Sequence, residues 1–307
     1  MYYFDCHADT LTEIPDSGTL MHNSCCLDLA RVRAFADRYT QIFAIWQDRA
    51  AMPQQPEEAF QALYERAIRL LEAQKEHIAF CRSARDMQNA HAQGLAAAFL
   101  SIEDISIMGS LAPRAREYGF RFAMLSWNYE NSLACGAVSG QHRGLTAQGL
   151  SLAKHLLAQN LVLDISHLSD QGAEDIFQLT ERPVIASHSN ARDICAHPRN
   201  LKKEHIQEFI RRKGLVGLNL YRLFIGGKQQ LPDLLRHIDA ILELGGEDIL
   251  ALGADFDGCG DAFPQGINGV QSMPHLKKIL EQEQFGRDVT EKIFWKNAQR
   301  FVLEHVA

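Results

Sequence analysis

Five side chains of metal-binding type and one further carboxylate are spread across the sequence: His7, Asp9, Glu103, His167, His188 and Asp255. On an extended chain, His7 and Asp9 leave the same face and can grip one ion together. Imidazole nitrogen with carboxylate oxygen suits zinc first, with manganese or iron as alternatives, while the shortage of clustered carboxylates argues against calcium. Glu103 closes the apolar run Ala96-Ala97-Ala98-Phe99-Leu100-Ser101-Ile102. A carboxylate drawn out of water there needs a cation, or an arginine such as Arg121. Beside His7, Asp9, His167 and His188, the better expectation is that Glu103 gives one oxygen to each of two ions. His167 and His188 both follow a serine and lie one strand-helix unit apart, so they are expected as neighbours in a second ion site.

Asp255, in Gly253-Ala254-Asp255-Phe256-Asp257-Gly258, has no basic neighbour in sequence and is expected beside the metals. The chemistry implied is hydrolysis: a metal-bridging hydroxide attacks a carbonyl, and Asp255 takes its proton and passes it to the leaving amine. Asp257 reads as a plain exit from strand to turn.

These residues must be gathered by the chain's regular elements. β-branched and aromatic runs at 2–9, 41–47, 96–103, 120–127, 161–167, 183–189, 214–221 and 249–257 predict eight strands. Helical spacing fills 56–74, 145–159, 169–179, 202–213 and 232–244. Strands alternating with helices at this spacing imply parallel pairing, and near-uniform apolar strands imply burial on both faces. Eight such units suit a closed (β/α)8 TIM barrel. No Gly-rich phosphate loop follows the first strand to favour an open, doubly wound sheet. The candidate ligands all fall at C-terminal strand ends, which in a parallel barrel converge on one mouth. The irregular pieces 47–57 and 129–143 are placed to build a pocket there. His142 is the remaining histidine most worth locating.

The composition fits this picture: 307 residues, 46% hydrophobic and 22% charged, as in ordinary globular proteins. No linker or repeat divides the chain, so residues 1–307 are read as one domain. A net charge of −7 lacks the positive field that nucleic acid requires. No apolar run long enough for a membrane span and no signal peptide is evident. Seven cysteines without a C-x-x-C pair argue against a disulfide framework, and the compartment is read as cytoplasm.

Taken in order, Asp5-Cys6-His7-Ala8-Asp9-Thr10-Leu11, Ser101-Ile102-Glu103, Gly144-Leu145-Thr146, Asp164-Ile165-Ser166-His167, Ser187-His188-Ser189, Arg199-Asn200 and Ala254-Asp255-Phe256-Asp257-Gly258 resemble the membrane dipeptidase (renal dipeptidase) family of zinc peptidases. The resemblance spans almost the whole chain and implies a barrel of the metal-dependent, amidohydrolase-like type. It implies a metallo-dipeptidase with two zinc ions, one held by His7, Asp9 and Glu103, the other by Glu103, His167 and His188. It further implies Asp255 as acid/base, Arg199 as receiver of a dipeptide's free carboxylate, Tyr221 as a substrate-pocket residue, and a homodimer. One position departs from the family. Its better-known members carry a pocket histidine at the end of the fourth strand, where this chain has Trp127. Indole is a single donor that cannot become cationic, so a carbonyl oxygen would be polarised by the ions, by Asn128 or by another donor. That departure keeps a second reading open, in which the same binuclear site hydrolyses a lactone, a cyclic amide or an N-acyl amino acid.

Overall fold

The computed structural model describes residues 1–48, 56–283 and 285–307. Most of the 47–57 piece expected near the mouth therefore lies outside the described residues. Nine parallel strands form the sheet: β1 (Tyr2–Ala8), β2 (Arg38–Ile45), β3 (Ile78–Phe80), β4 (Ala96–Ile102), β5 (Phe122–Met124), β6 (Val162–Asp164), β7 (Ile185–Ala186), β8 (Leu215–Leu218) and β9 (Leu250–Leu252). Neighbours run β2-β1-β9-β8-β7-β6-β5-β4, and pairing of β2 with β4 closes the ring. The result is an eight-stranded (β/α)8 TIM barrel, with helices such as Pro56–Glu72, Ala147–Ala158, Asp170–Leu179, Lys203–Arg212 and Leu231–Glu243 between strands.

Each ring strand lies inside one of the runs expected from the sequence, apart from the first three residues of β2. The extra strand, β3, was not expected. It pairs with the first half of β4, from Ile78↔Ala96 to Phe80↔Ala98, while β5 pairs with the last two residues of β4. Three residues are too few to show a period in sequence. The later ring strands are shorter than the runs that contain them. Their apolar pattern continues past the last ladder pair into irregular chain, and that chain carries the ligand-type residues.

All eight ring strands contribute to one interior cluster, including Phe4, Cys6, Ile42, Phe99, Phe122, Val162, Ile185, Leu215 and Ala251, with Ala298, Phe301 and Val302 of the helix Asn297–His305 packed into it. The lumen is thus a filled core. Above it, β1 carries a bulge: Asp5 pairs with Gln41 but Ala8 with Phe43, one extra residue on β1. The buried Asp5 carboxylate satisfies this irregular stretch by accepting the backbone N–H groups of His7 (3.2 Å) and Ala254 (3.0 Å) and the Tyr3 hydroxyl (2.8 Å). Bulges re-aim side chains, and here the chain re-aims at His7.

Two glycines let the end of β7 approach its neighbours. A Cβ at Gly217 or at Gly253 would collide with the Ser187 carbonyl oxygen, and one at Gly253 would also press on the His188 Cα. Gly253→Ala is therefore expected to cost about 1–3 kcal/mol, the usual range for overpacking a buried site. Denaturant unfolding checks this, and a stability within about 0.5 kcal/mol of wild type, as for an unimportant surface change, would contradict it.

Candidate metal centre

The barrel's C-terminal strand ends bring the expected ligands into contact. His7 comes from β1 and Asp9 directly follows it. Glu103 follows β4, His167 and His188 follow β6 and β7, and Asp255 follows β9. His7 Nε2 lies 3.1 Å from Glu103 Oε2, 3.4 Å from Asp9 Oδ2 and 3.9 Å from Asp255 Oδ1. The other Glu103 oxygen, Oε1, is 2.7 Å from His167 Nε2, which is 2.8 Å from His188 Nε2. Among the described residues, three sets have ligand atoms close enough for one ion: His7, Asp9 and Glu103; Glu103, His167 and His188; and His7, His188 and Asp255. Glu103 belongs to two of them and faces each with a different oxygen. Arg121, the alternative partner for Glu103, instead donates to the Arg82, Arg116 and Phe120 carbonyls.

The donors present fit divalent ions on two grounds. His7 Nε2, Asp9 Oδ1 and Glu103 Oε2 are buried and lack a hydrogen-bond partner, a costly arrangement for polar atoms unless a cation meets them. The electrostatics point the same way. Burial, and then the Glu103 carboxylate, push Asp9 up to about 8. Burial opposes charge on Glu103 too, yet His7 and His167 hold its carboxyl well below the usual range. Burial acts against a proton on His7, but Glu103 and Asp9 together raise it well above an ordinary histidine. Burial and Arg199 bring His167 down to about 3, and burial, His7 and Arg199 lower His188. Buried carboxylates thus crowd around imidazoles that are mostly neutral, a charge pattern that a dication resolves.

Around this centre lies a cavity of about 390 Å³ walled by Asp9, Glu103, His167, Asp255, Arg199, Tyr221, Asn128, Trp127, Trp46, Phe224 and others. Every candidate substrate residue of the sequence reading therefore borders it. Arg199 is fully buried, its Nη2 3.2 Å from His167 Nε2, its guanidinium over the Phe224 ring at 5.4 Å, and its Nε without a partner. Burial lowers it only to about 10, so it stays cationic at neutral pH. Asn128 Oδ1 accepts from His167 Nδ1 at 3.0 Å. Trp127 stacks near His167, with ring centroids 6.0 Å apart, and leans on Trp46 at 4.9 Å. The two indoles also border a second, largely apolar cavity of about 1090 Å³. His142 is exposed and away from both cavities. Asp257 does more than leave a strand: it accepts from the Thr10 hydroxyl and the Cys26 backbone, both at 2.5 Å.

Two residues escaped sequence reasoning. Asn219, fully buried just after β8, donates to Asp255 Oδ2 at 3.0 Å and accepts the Tyr221 backbone N–H at 2.6 Å. It steadies Asp255 in a left-handed conformation, φ 61°, that a side chain rarely adopts. Trp46 read only as the end of an apolar strand. Neither a neutral amide nor a strand-end indole carries a sequence signal of its own.

A family model described as membrane dipeptidase (peptidase family M19) matches residues 1–307. An uncharacterised protein in the pqqA 5′ region of Klebsiella pneumoniae is 33% identical over 193 residues, covering 59% of this chain and 70% of that protein. An uncharacterised dipeptidase of Schizosaccharomyces pombe is 29% identical over 219 residues, covering 67% of this chain and 52% of that protein, so the match spans about half of its length. A metallo peptidase from Rhodobacter sphaeroides, solved with a phosphinate mimic of the dipeptide L-Ala-D-Ala, superposes with a TM-score of 0.87 at 23% identity, covering 100% of this chain and 99% of that one. That likeness concerns the fold. Among the described residues, no helix is long and apolar enough to cross a membrane.

Zinc is expected to stabilise the chelator-stripped protein by about 2.7 kcal/mol at a free concentration one hundred times its dissociation constant. A thermal melt with and without zinc checks this, and an unmoved midpoint would contradict the assignment of the buried donors to a cation.

Proposed function

Because the chain belongs to the membrane dipeptidase family, peptidase family M19, we propose that it hydrolyses dipeptides with a pair of zinc ions, residues 1–307 acting as one domain. The observation that carries this reading is the sharing of Glu103 between two ligand sets, with the Arg199 guanidinium directly beside them. His7, Asp9 and Glu103 would hold one ion and Glu103, His167 and His188 the other. Bound there, the ions supply Lewis-acid polarisation of the scissile carbonyl and a water acidic enough to react at neutral pH.

The chain's own residues do the rest. Arg199, dry and cationic, receives the dipeptide's free carboxylate through its planar fork of donors, and Tyr221 closes the same wall. Asp255 has Oδ2 fixed by Asn219, which leaves Oδ1 to take the proton of the attacking water and return it to the leaving amine. Burial raises the Asp255 carboxyl above its ordinary value, which suits a group that must hold that proton for part of the cycle. Asn128 commits its carbonyl oxygen to His167, so only its amide N–H groups remain as carbonyl-polarising donors. Family likeness supports a homodimer, and seven unpaired cysteines support a reducing compartment such as the cytoplasm.

One observation favours a second reading, in which a lactone, cyclic amide or N-acyl amino acid is the substrate. The Trp46–Trp127 pair also borders the large apolar cavity, which suits a bulky apolar acyl half. A substrate panel on zinc-loaded protein separates the two. Free dipeptides are expected to be cleaved well ahead of lactones and N-acyl amino acids, and the reverse order would overturn the dipeptidase reading. Arg199→Ala is expected to raise KM for dipeptides about 10- to 100-fold, the loss of a charge-assisted contact worth about 1.5–3 kcal/mol, with little effect on dipeptide amides. Equal effects on both would remove its role. Asp255→Asn is expected to lower kcat by about 10²–10⁴ while zinc content stays at wild type, and an unchanged kcat would dismiss it as the proton carrier.

A further inference from the structure

An imidazole can offer Nε2 to a cation only if its proton sits on Nδ1, so whatever touches Nδ1 decides whether the ring is a ligand. For His167 that neighbour is the Asn128 Oδ1 acceptor. His7 and His188 share theirs. The Ser187 hydroxyl oxygen lies 2.8 Å from His188 Nδ1 and 3.4 Å from His7 Nδ1, the two rings lying with centroids 3.8 Å apart.

A hydroxyl has one hydrogen and two lone pairs, which makes the sharing a problem of hydrogen accounting. If Ser187 gives its hydrogen to either ring, that ring is forced to protonate on Nε2 and is lost as a ligand. Two other acceptors are within reach, the Ser166 hydroxyl oxygen at 3.3 Å and the Asp164 carboxylate. Ser166 already accepts the His188 backbone N–H at 3.2 Å, and its own hydrogen points to Asp164 Oδ1 at 2.7 Å. Asp164 Oδ1 also accepts the backbone N–H groups of Ser166 (3.0 Å) and Ser187 (3.2 Å). All three side chains are 2% exposed, so no bulk water interrupts the chain. One assignment uses every hydrogen once. Ser166 donates to Asp164, Ser187 donates away from the rings into the Ser166–Asp164 pair, and both lone pairs of Ser187 are left for the Nδ1–H groups of His7 and His188.

We infer that Asp164, Ser166 and Ser187 form a hydrogen-bond relay that locks His7 and His188, one from each ion site, in the tautomer whose Nε2 can bind metal. They are positioning residues: none is in the ligand sets and none borders the substrate cavity. The relay couples the two sites through a single oxygen, so loosening it weakens both. It also gives the two Ser-His endings a use: the serine after β7 holds the rings, and the serine after β6 polarises that serine. The inference rests on the metal-binding reading above and is independent of which bond is cleaved.

The test compares wild type, Ser187→Ala and Ser166→Ala in the full chain. Zinc affinity is measured by competition with a chromogenic chelator, and the ring protons of the zinc-loaded, ¹⁵N-histidine-labelled proteins are followed by NMR. Wild type is expected to show slowly exchanging Nδ1–H signals for both His7 and His188. Ser187→Ala is expected to lose that protection and to bind zinc about 10- to 100-fold more weakly, the usual cost of removing an outer-shell partner. Ser166→Ala touches no ring and reaches His188 only through its backbone N–H, so a purely local role for Ser187 predicts unchanged Nδ1 exchange at His7, whereas the relay predicts weaker zinc binding and faster exchange at Nδ1 of both rings. It also keeps the inference falsifiable if Ser187→Ala fails to fold. Zinc affinity and exchange in Ser166→Ala equal to wild type, or a ring proton found on Nε2 of either histidine, would overturn the relay alone. A wild-type protein that takes up no zinc would overturn it together with the metallo-dipeptidase reading.

Discussion

The structure is organised around buried ligand-type atoms, His7 Nε2, Asp9 Oδ1 and Glu103 Oε2, that the polypeptide does not satisfy by itself. Asp9, Glu103 and Asp255 are withdrawn from water within a few ångströms of one another, and the neighbouring histidines His167 and His188 resist protonation because they are buried beside Arg199. Only His7 is drawn toward the charged form. Buried carboxylates with unmet ligand atoms beside neutral imidazoles are tolerated where a cation is expected, and the rest of the upper barrel serves that arrangement. The bulge in β1 aims His7, Gly217 in β8 and Gly253 just after β9 admit the end of β7, and Asn219 pins Asp255.

The same constraint explains the division of labour in the fold. The lower barrel is a packed apolar plug that draws on all eight ring strands and so supplies rigidity with no chemistry. The ladders stop early on β6, β7 and β9, and the chain beyond them is held by side-chain hydrogen bonds from Asp164, Asn219 and Asp5. Placing ligands on short irregular ends over a rigid core lets residues far apart in sequence meet within hydrogen-bonding distance.

Much of this was legible in the sequence, for physical reasons. Parallel strands buried on both faces read as uniform apolar runs, so the eight ring strands stood out. A carboxylate ending such a run is conspicuous because burial makes it costly, and that cost singled out Glu103, while the repeated Ser-His ending singled out His167 and His188. What stayed hidden depends on partners that only folding supplies. β3 is too short to have a period, Asn219 is a neutral amide whose importance lies in its distant partner Asp255, and Trp46 differs from any strand-end aromatic only by meeting Trp127. Ser166 and Ser187 were visible as a repeated Ser-His ending, but their hydrogen-bond directions exist only once β6 and β7 lie side by side. The possible pairing of Glu103 with Arg121 failed because Arg121 is held by backbone carbonyls of its own neighbourhood.

The central claim is that two cations sit where the buried donors converge, and anomalous scattering at the zinc absorption edge from crystals of the zinc-loaded protein tests it most directly. The account predicts two peaks at the barrel mouth on either side of the Glu103 carboxylate, one against His7 and Asp9 and the other against His167 and His188. Difference maps without a peak at that carboxylate, in crystals shown to contain zinc, would contradict it.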